Sequence, residues 1–188
     1  MNKAFVKEDD SRFDFAPEIT LDARAGIPPG SKNYMTPAGA RRLRNELEEL
    51  SLRERPQLLQ QINRSDANKS SQIDNEIWEA KKQLRRIDHR IAYLSERLEL
   101  TEVVDPEQIR SDRIRFGATV TLQHESGEIK NYQIVGIDET DLDKGRISWT
   151  SPVAKAMLDY KAGDVLTFKT HAHEEEIEIV EVSYKEIL

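Results

Sequence analysis

Carboxylate side chains lie between residues 66 and 76, where one helical pattern ends and a second begins. The candidates for chemistry are Asp66, Asp74 and Glu76, because carboxylate oxygens are the ligands that Mg²⁺ prefers. A magnesium ion held there can activate water for phosphodiester hydrolysis inside another protein's active site. The alternative is structural, with Asp66 in a loop, Asp74 as a helix N-cap, and Glu76 as a first-turn acid favoured by the helix dipole.

Other residue types argue against catalysis by the chain itself. Cysteine is absent, which excludes disulfides and thiolate metal sites. His171 and His173 share one face of a predicted strand, but two imidazoles without a third ligand indicate surface residues. We find no Ser/His/Asp arrangement, phosphate-binding loop or zinc pattern in the sequence. We therefore expect no enzyme activity of its own and no stably bound cofactor.

Two helical patterns must position the carboxylates. The first begins with Thr36 as N-cap and Pro37 at the first helical position, and it runs to about Arg64. In the second, apolar residues recur in alternating steps of four and three, which is a heptad seam. Its members are Ile73, Ile77, Ala80, Leu84, Ile87, Ile91, Leu94 and Leu98. We expect helices near 37–64 and 74–101 that pack as an antiparallel coiled-coil hairpin about 40 Å long.

Domain boundaries follow from where these patterns change. Residues 1–34 carry no sustained period and include the turn-rich AGIPPGSKNY, which predicts an extended or disordered N-terminal extension. The hairpin occupies residues 35–104, with its tip at 65–73. A linker at 105–114 leads into residues 115–188, whose short alternating runs predict strands around one short helix. The fold class is therefore α+β in two domains, the second a small antiparallel sheet.

Charge is distributed unevenly along the chain, whose formal net charge is -7. Residues 35–104 carry 13 basic and 12 acidic side chains, whereas residues 105–188 carry 10 basic and 17 acidic. An acidic total argues against avid nonspecific binding to duplex DNA, which needs a basic face that releases counterions. Neither an apolar signal-peptide core nor a run of about 18 apolar residues occurs, so we expect a cytoplasmic protein without a membrane span.

Several segments of the chain resemble one protein family in their order and spacing. They are MTPAGARRLRNELEEL, KKQLRRIDHRIAYLSERLE, FGATVTL, YQIVGIDETD and ISWTSPVAKAML. Together they look like the Gre transcript-cleavage factors of bacterial RNA polymerase, and they are nearer the GreB branch. The resemblance covers residues 35–188 and leaves residues 1–34 outside.

The resemblance implies both a fold and a mode of action. It implies that residues 115–188 form an FKBP-like domain that docks on the rim of the polymerase secondary channel, while the coiled coil passes down that channel. In the family, tip acids help bind the second catalytic Mg²⁺, so that the polymerase hydrolyses its own backtracked RNA. The implied partners are RNA polymerase and the nascent RNA within its channel, and we expect a monomer.

The acidic tip of the family is degenerate in this chain. The family pattern Asp-x-x-Glu-Asn-x-Glu/Asp-Tyr falls without a gap on SSQIDNEI. Ser70 and Ile73 stand at the two leading acidic positions. Asp74 stands where the family has Asn, with Asn75 after it, and Glu76 alone matches an acidic position. Asp74 and Glu76 are therefore the remaining candidates for a magnesium ion shared with the polymerase.

Two further surfaces are implied by the resemblance. A basic patch on the second helix contacts RNA in the family, and the RNA-proximal residues here are Lys81, Lys82 and Arg85. The alternative for these residues, and for Arg90 nearby, is solvation or pairing with Glu across the coil. The segment near the polymerase-binding surface of the family is matched by Ser151, Pro152 and Ala154. A simple helix cap is the alternative for that segment.

We therefore interpret the chain as a Gre-like transcription elongation factor that modulates elongation of paused or backtracked complexes through the secondary channel. Because few tip acids remain, the first alternative is a noncleaving regulator or inhibitor that occludes the channel. The second is a prolyl isomerase with a coiled-coil arm, which the FKBP-like domain suggests. That activity needs an aromatic-lined proline pocket.

Overall fold

The computed structural model describes residues 22–66, 71–169, 174–185 and 187, with the backbone alone at 65, 66, 71–74, 168, 169 and 174. The helices are α1 (Pro37–Glu49), α2 (Arg55–Asp66), α3 (Ser71–Glu99) and α4 (Pro152–Met157). The strands are β1 (Asn33–Met35), β2 (Thr101–Val103), β3 (Ala118–His124), β4 (Ile129–Val135), β5 (Arg146–Ser148), β6 (Val165–Lys169) and β7 (Glu174–Tyr184). Among the described helices, none is long and apolar enough to cross a membrane.

The first three helices form the predicted hairpin, and their packing shows that its arms are antiparallel. Near the base, Leu43 of α1 packs with Leu94 of α3. Further out, the contact between α2 and the earlier part of α3 is made by Leu58, Ile62, Ala80 and Ile87. The seam is confirmed over residues 77–98, where every member is buried or half-buried. With 29 residues, α3 is about 43 Å long.

The first arm is not the single uninterrupted α-helix that the sequence pattern predicts. The predicted start is confirmed, because the Thr36 hydroxyl accepts a hydrogen bond from the Gly39 N–H at 3.1 Å. A π-helical turn then separates α1 from α2 at Leu50–Glu54. Pro56 follows this turn, and in a regular α-helix its ring would clash with a carbonyl one turn earlier. We attribute the wider turn to this proline, since mid-helix irregularities have such local causes.

The base of the hairpin contains a two-stranded sheet that the sequence patterns did not predict. α3 ends at Glu99, two residues before its predicted end, and β2 then pairs in parallel with β1. The last residues of the predicted extension therefore belong to the hairpin base. Residues 22–32 form successive turns, and the predicted linker contains a 3₁₀ turn at Pro106–Gln108. Residues 1–21 lie outside the described part of the chain.

The C-terminal part is a five-stranded sheet with the order β5-β4-β3-β7-β6. The predicted strands and the one short helix are found, and the helix lies between β5 and β6. The prediction of an entirely antiparallel sheet is wrong at one edge, because β5 runs parallel to β4 and pairs Ile147 with Ile134. The chain between these strands returns through two 3₁₀ turns, Ile137–Glu139 and Leu142–Lys144, so it enters β5 in the direction of β4.

α4 contributes to the core of this sheet. Its Ala154 and Met157 are fully buried. The strand residues packed with them alternate along β3, β4 and β7, as a sheet with one covered face requires. The core consists of Ile114, Ala118, Val120, Leu122, Ile134, Ile147, Ala154, Met157, Leu166, Ile177 and Ile179. This core holds the 3₁₀ turn Ile137–Glu139 at the end of β4, next to the hairpin base.

Candidate functional site

The tip of the hairpin is where the sequence predicts metal chemistry. α2 extends to Asp66 and α3 begins at Ser71, so both helices reach further toward the tip than predicted. Asp74 lies inside α3, so the alternative that it caps this helix is wrong. Ser70 lies outside the described residues, as do the side chains of Asp66, Ile73 and Asp74.

Asn75 and Glu76 are the tip candidates whose side chains are described, and both are exposed. The shallow groove beside them is lined by Gln61, Glu76, Glu79, Ala80, Gln83 and Arg86. The Arg86 guanidinium in this groove opposes a divalent cation, since like charges repel. Across residues 22–66, 71–169, 174–185 and 187, no group of three His, Asp or Glu side chains is placed to hold a metal. The described tip residues therefore do not fit a magnesium site by themselves.

A basic face lies along α3 just after the tip. The residues at spacing i, i+3, i+4 and i+7 are Trp78, Lys81, Lys82 and Arg85. Trp78 is 44% exposed, and the Lys82 Nζ lies 4.8 Å from the centre of its ring, within the range of a cation–π contact. Trp78 is a candidate that was not predicted from the sequence. Its position off the heptad seam, among basic residues at helical spacing, was the signal.

Ion pairs across the hairpin account for other charged residues of the coil. The Arg90 guanidinium donates two hydrogen bonds to the Glu46 carboxylate, at 2.6 and 3.0 Å. The hydrogen bond to Glu46 raises the pKa of Arg90 above its usual value. Arg55 pairs with Asp88 at 2.7 Å. For Arg90, the alternative of pairing across the coil is therefore confirmed.

The junction between hairpin and sheet domain is organised around Glu139, which is only 6% exposed. Its Oε2 accepts hydrogen bonds from the Thr36 N–H at 2.9 Å and from the Gly136 N–H at 3.0 Å. Its Oε1 accepts one from the Thr36 hydroxyl. The residue that begins α1 is thus bonded directly to the turn after β4. A buried carboxylate is tolerated only when hydrogen bonds of this kind satisfy it.

Two glycines make room for the Glu139 side chain. A Cβ added at Gly39 or at Gly136 would lie within 3.0 Å of its atoms, a distance that real Cβ atoms do not reach. Gly39 lies in α1, where glycine weakens a helix relative to alanine. Close approach of the carboxylate explains Gly39, and at Gly136 the Tyr34 carbonyl oxygen would be equally close to an added Cβ.

A second junction contact joins Arg97 of α3 to Asp138, and the Arg97 side chain is 1% exposed. The Arg97 Nε donates to the Asp138 Oδ2 at 2.8 Å. The same carboxylate accepts hydrogen bonds from Asn33 Nδ2 at 3.2 Å and from the Tyr93 hydroxyl at 3.4 Å. Arg42 of α1 donates to the Asp138 carbonyl. Adjacent acids of one 3₁₀ turn therefore hold both arms of the hairpin.

The segment matched to a polymerase-binding surface forms the start of α4. Ser151 is its N-cap, and its hydroxyl accepts from the Ala154 N–H at 3.1 Å. The cap alternative is therefore confirmed for Ser151. Pro152 and Val153 are exposed beside it, whereas Ala154 is fully buried in the core. A partner can reach Pro152 at this position, but the Ala154 side chain faces the interior.

Five aromatic residues in and beside the sheet domain are engaged in packing. Trp149 contacts Tyr34 of β1 edge to face, with ring centres 5.4 Å apart, and Tyr34 also lies 5.9 Å from Phe116. Tyr132 and Tyr184 pack against the core. Because these five rings are used in packing, they do not line an open proline pocket of the kind that a prolyl isomerase requires.

Two models of one protein family match the chain. The model described as "Transcription elongation factor, N-terminal" matches residues 33–103, and that described as "Transcription elongation factor, GreA/GreB, C-term" matches residues 109–184. Transcription elongation factor GreB of Neisseria meningitidis serogroup B is 40% identical over 158 residues, which are 84% of this chain and 97% of that protein. The chain belongs to the GreA/GreB family of transcription elongation factors.

Relatives on both branches of the GreA/GreB family are similar over most of the chain. GreB of Pseudomonas aeruginosa is 40% identical and covers 85% of this chain and 92% of its own length. GreA of Alkalilimnicola ehrlichii is 37% identical, and the match covers 82% of this chain and 99% of that protein. The solved Gfh1 of Thermus thermophilus is 28% identical over 80% of this chain and 98% of its own, with a TM-score of 0.34. So low a TM-score adds nothing to the assignment.

Proposed function

We propose that this GreA/GreB family member binds bacterial RNA polymerase, inserts its hairpin into the secondary channel, and modulates elongation of paused or backtracked complexes. The observation that carries the proposal is a helical hairpin about 43 Å long, bonded at its base to the sheet domain through Glu139 and Asp138. A hairpin fixed in this way can reach a recessed active site while the other domain grips the surface. The chain then works as a cytoplasmic monomer.

The docking surface in this proposal is the N-terminal end of α4, in a sheet domain that we take to be FKBP-like. Pro152→Glu should weaken polymerase binding at least about tenfold, since a charge then enters the centre of the interface. Glutamate suits the first turn of a helix, so the fold should survive. Ser126→Glu, which adds the same charge in the exposed turn between β3 and β4, is the matched control. Equal capture of both folded variants by immobilised polymerase would contradict the proposed surface.

We further propose that the chain stimulates transcript cleavage weakly or not at all, and so acts by occupying the channel. Ser70 and Ile73 stand where the family pattern has acids, which leaves a shared magnesium ion short of oxygen ligands. Glu76 alone retains an acidic position of the family pattern, and Asp74 stands two residues earlier, where the family has Asn. The chain's own contribution is then steric and electrostatic, with the Trp78–Lys82 face positioned to contact nascent RNA, since aromatic and basic groups together bind single strands.

The test is RNA shortening on stalled, backtracked elongation complexes. The native chain should give little cleavage, and Ser70→Asp with Ile73→Glu should raise it, although a charge in the seam weakens the coil. Excess native chain should also inhibit cleavage by an active GreB, because both compete for one channel. Strong native activity that Asp74→Ala with Glu76→Ala abolishes would show instead that these two acids form the metal site.

A further inference from the structure

Residues 22–27 fold against the domain junction, although they precede the part of the chain that the family models match. They form consecutive turns, in which the Ala25 N–H donates to the Asp22 carbonyl and the Ile27 N–H to the Arg24 carbonyl, both at 3.0 Å. The Asp22 side chain accepts from the Arg24 N–H at 2.8 Å. We call residues 22–27 the strap.

The strap completes the site of the buried Arg97 guanidinium. The Arg97 Nη1 donates to the carbonyl of Ala23 at 2.6 Å and to that of Ala25 at 3.1 Å, while its Nε donates to Asp138. Ala23 is 2% exposed, whereas its neighbours Arg24 and Ala25 are exposed. One strap residue is therefore buried, and two of its carbonyls face a single cation.

The strap also touches the sheet domain. Gly26 adopts a φ of 78°, which closes the turn, and a Cβ at this position would lie 3.4 Å from the Cγ2 of Ile137. Ile137 begins the 3₁₀ turn that carries Asp138 and Glu139. The strap therefore contacts the hairpin through Arg97 and the sheet domain beside Asp138.

We propose that the strap fixes the angle between hairpin and sheet domain, with Arg97 as the positioning residue through which it acts. A buried guanidinium must have its N–H groups satisfied, and an ion pair opened to water is weak. With the strap in place, Arg97 holds Asp138 out of solvent and the hairpin keeps one direction. Without it, water reaches the pair and weakens this junction contact, so the hairpin samples a wider range of directions about the remaining Glu139 bonds. Any effect of the strap on polymerase binding rests on the proposed function, whereas its effect on the angle between the domains does not.

The experiment measures distances between spin labels on the two domains. The chain contains no cysteine, so Gln60→Cys on α2 and Ala162→Cys before β6 provide two unique, exposed labelling sites. Deletion of residues 1–21 leaves the strap intact and is the matched control for deletion of residues 1–27. We expect the control to keep the distance distribution of the full chain. The longer deletion should broaden it, and amides around Arg97 should exchange about tenfold faster.

A pair of single substitutions repeats the test in the full-length chain. Ala23→Lys puts a long, charged side chain at a position that is buried in the wild-type chain, which should displace the strap. Ala25→Lys makes the same change at an exposed neighbour and should alter nothing. Helix content from circular dichroism shows which variants are folded. If the deletion of residues 1–27 unfolds the chain, the comparison of Ala23→Lys with Ala25→Lys decides whether the strap proposal holds. Identical distributions for Ala23→Lys and Ala25→Lys, or for the two deletions, would overturn the proposal.

Distance measurement without polymerase separates this inference from the proposed function. If deletion of residues 1–27 broadens the distance distribution but the full chain does not bind polymerase, the strap is supported and the proposed function is refuted. If the deletion leaves the distribution unchanged but the full chain binds polymerase, the strap is refuted and the proposed function is supported. If both hold, deletion of residues 1–27 should weaken polymerase binding relative to deletion of residues 1–21.

Discussion

Glu139→Ala is the substitution that tests the domain junction most directly. The wild-type carboxylate accepts hydrogen bonds from the Thr36 N–H, the Thr36 hydroxyl and the Gly136 N–H. Alanine leaves these three donors without that acceptor. A buried donor without a partner costs about 1–3 kcal/mol, and water entering the vacated space moves each value toward the lower end. The free energy of unfolding should therefore fall by about 3–5 kcal/mol.

Glu139→Gln separates shape from charge at the same position. Its amide oxygen can replace Oε2 and keep the bonds to the Thr36 and Gly136 N–H groups. Its NH₂ group replaces Oε1 and cannot accept from the Thr36 hydroxyl. One hydrogen bond of three is lost, so the free energy of unfolding should fall by about 1–2 kcal/mol. The order of stability should be wild type, glutamine, alanine.

Urea unfolding followed by Trp149 fluorescence is the assay. Trp149 lies at the junction against Tyr34, and a Trp78→Phe background removes the signal of the hairpin tip. The control is Asp143→Asn, which alters an exposed acid of the neighbouring 3₁₀ turn and should change stability by less than about 0.5 kcal/mol. A loss below about 1 kcal/mol for Glu139→Ala would refute the reasoning, because an effect that small is ordinary for any substitution.

Three further predictions concern single contacts. Gly39→Ala should destabilise the wild-type chain strongly but the Glu139→Ala chain little, and an equal loss of unfolding free energy in both would show that the close approach is not the cause. Burial raises the pKa of the Tyr184 hydroxyl in the folded chain. Its stabilising contribution is therefore present below about pH 10, the usual pKa of tyrosine, and is lost as pH rises through the pKa of the folded state. Tyr184→Phe should flatten the decline of the urea midpoint at alkaline pH. Arg90→Gln breaks the half-exposed pair with Glu46 and should lower the free energy of unfolding by under about 1 kcal/mol, an effect that added salt should reduce.

Features governed by local chemistry were predictable from the sequence. The start of α1 follows from Thr36 and Pro37. The face of α3 that packs against the first arm follows from the heptad seam. The presence of strands around one short helix followed from alternation and turn residues. Each of these signals acts over a few residues, within which propensity and periodicity decide the outcome.

Features that depend on distant partners were not predictable in the same way. Gly39 in α1 looks like a defect until Glu139, a hundred residues later, is placed against it. The parallel pairing of β5 depends on how the chain returns from β4, which no local pattern specifies. Arg97 lies beside an apolar seam and would be taken for a solvated residue, yet it is buried on Asp138.

For the candidate site too, local features were predictable from the sequence and features that depend on packing were not. Family spacing located the tip and the start of α4, where the structure shows that Pro152 is exposed. It could not show that Ala154 is buried, because accessibility depends on packing against the sheet. Nor could spacing place the acids of the tip relative to one another.

The fit between Glu139 and the two glycines limits how this protein can be recombined with its relatives. Gly39 belongs to the hairpin, whereas Gly136 and Glu139 belong to the sheet domain. A chimera that joins this sheet domain to a hairpin with a larger residue at position 39 would bring two well-folded halves into collision. The same coupling orders the steps open to natural drift, because Glu139 must change before Gly39 can. Substitutions at these positions are thus coupled between the two domains, although the domains are separate in sequence.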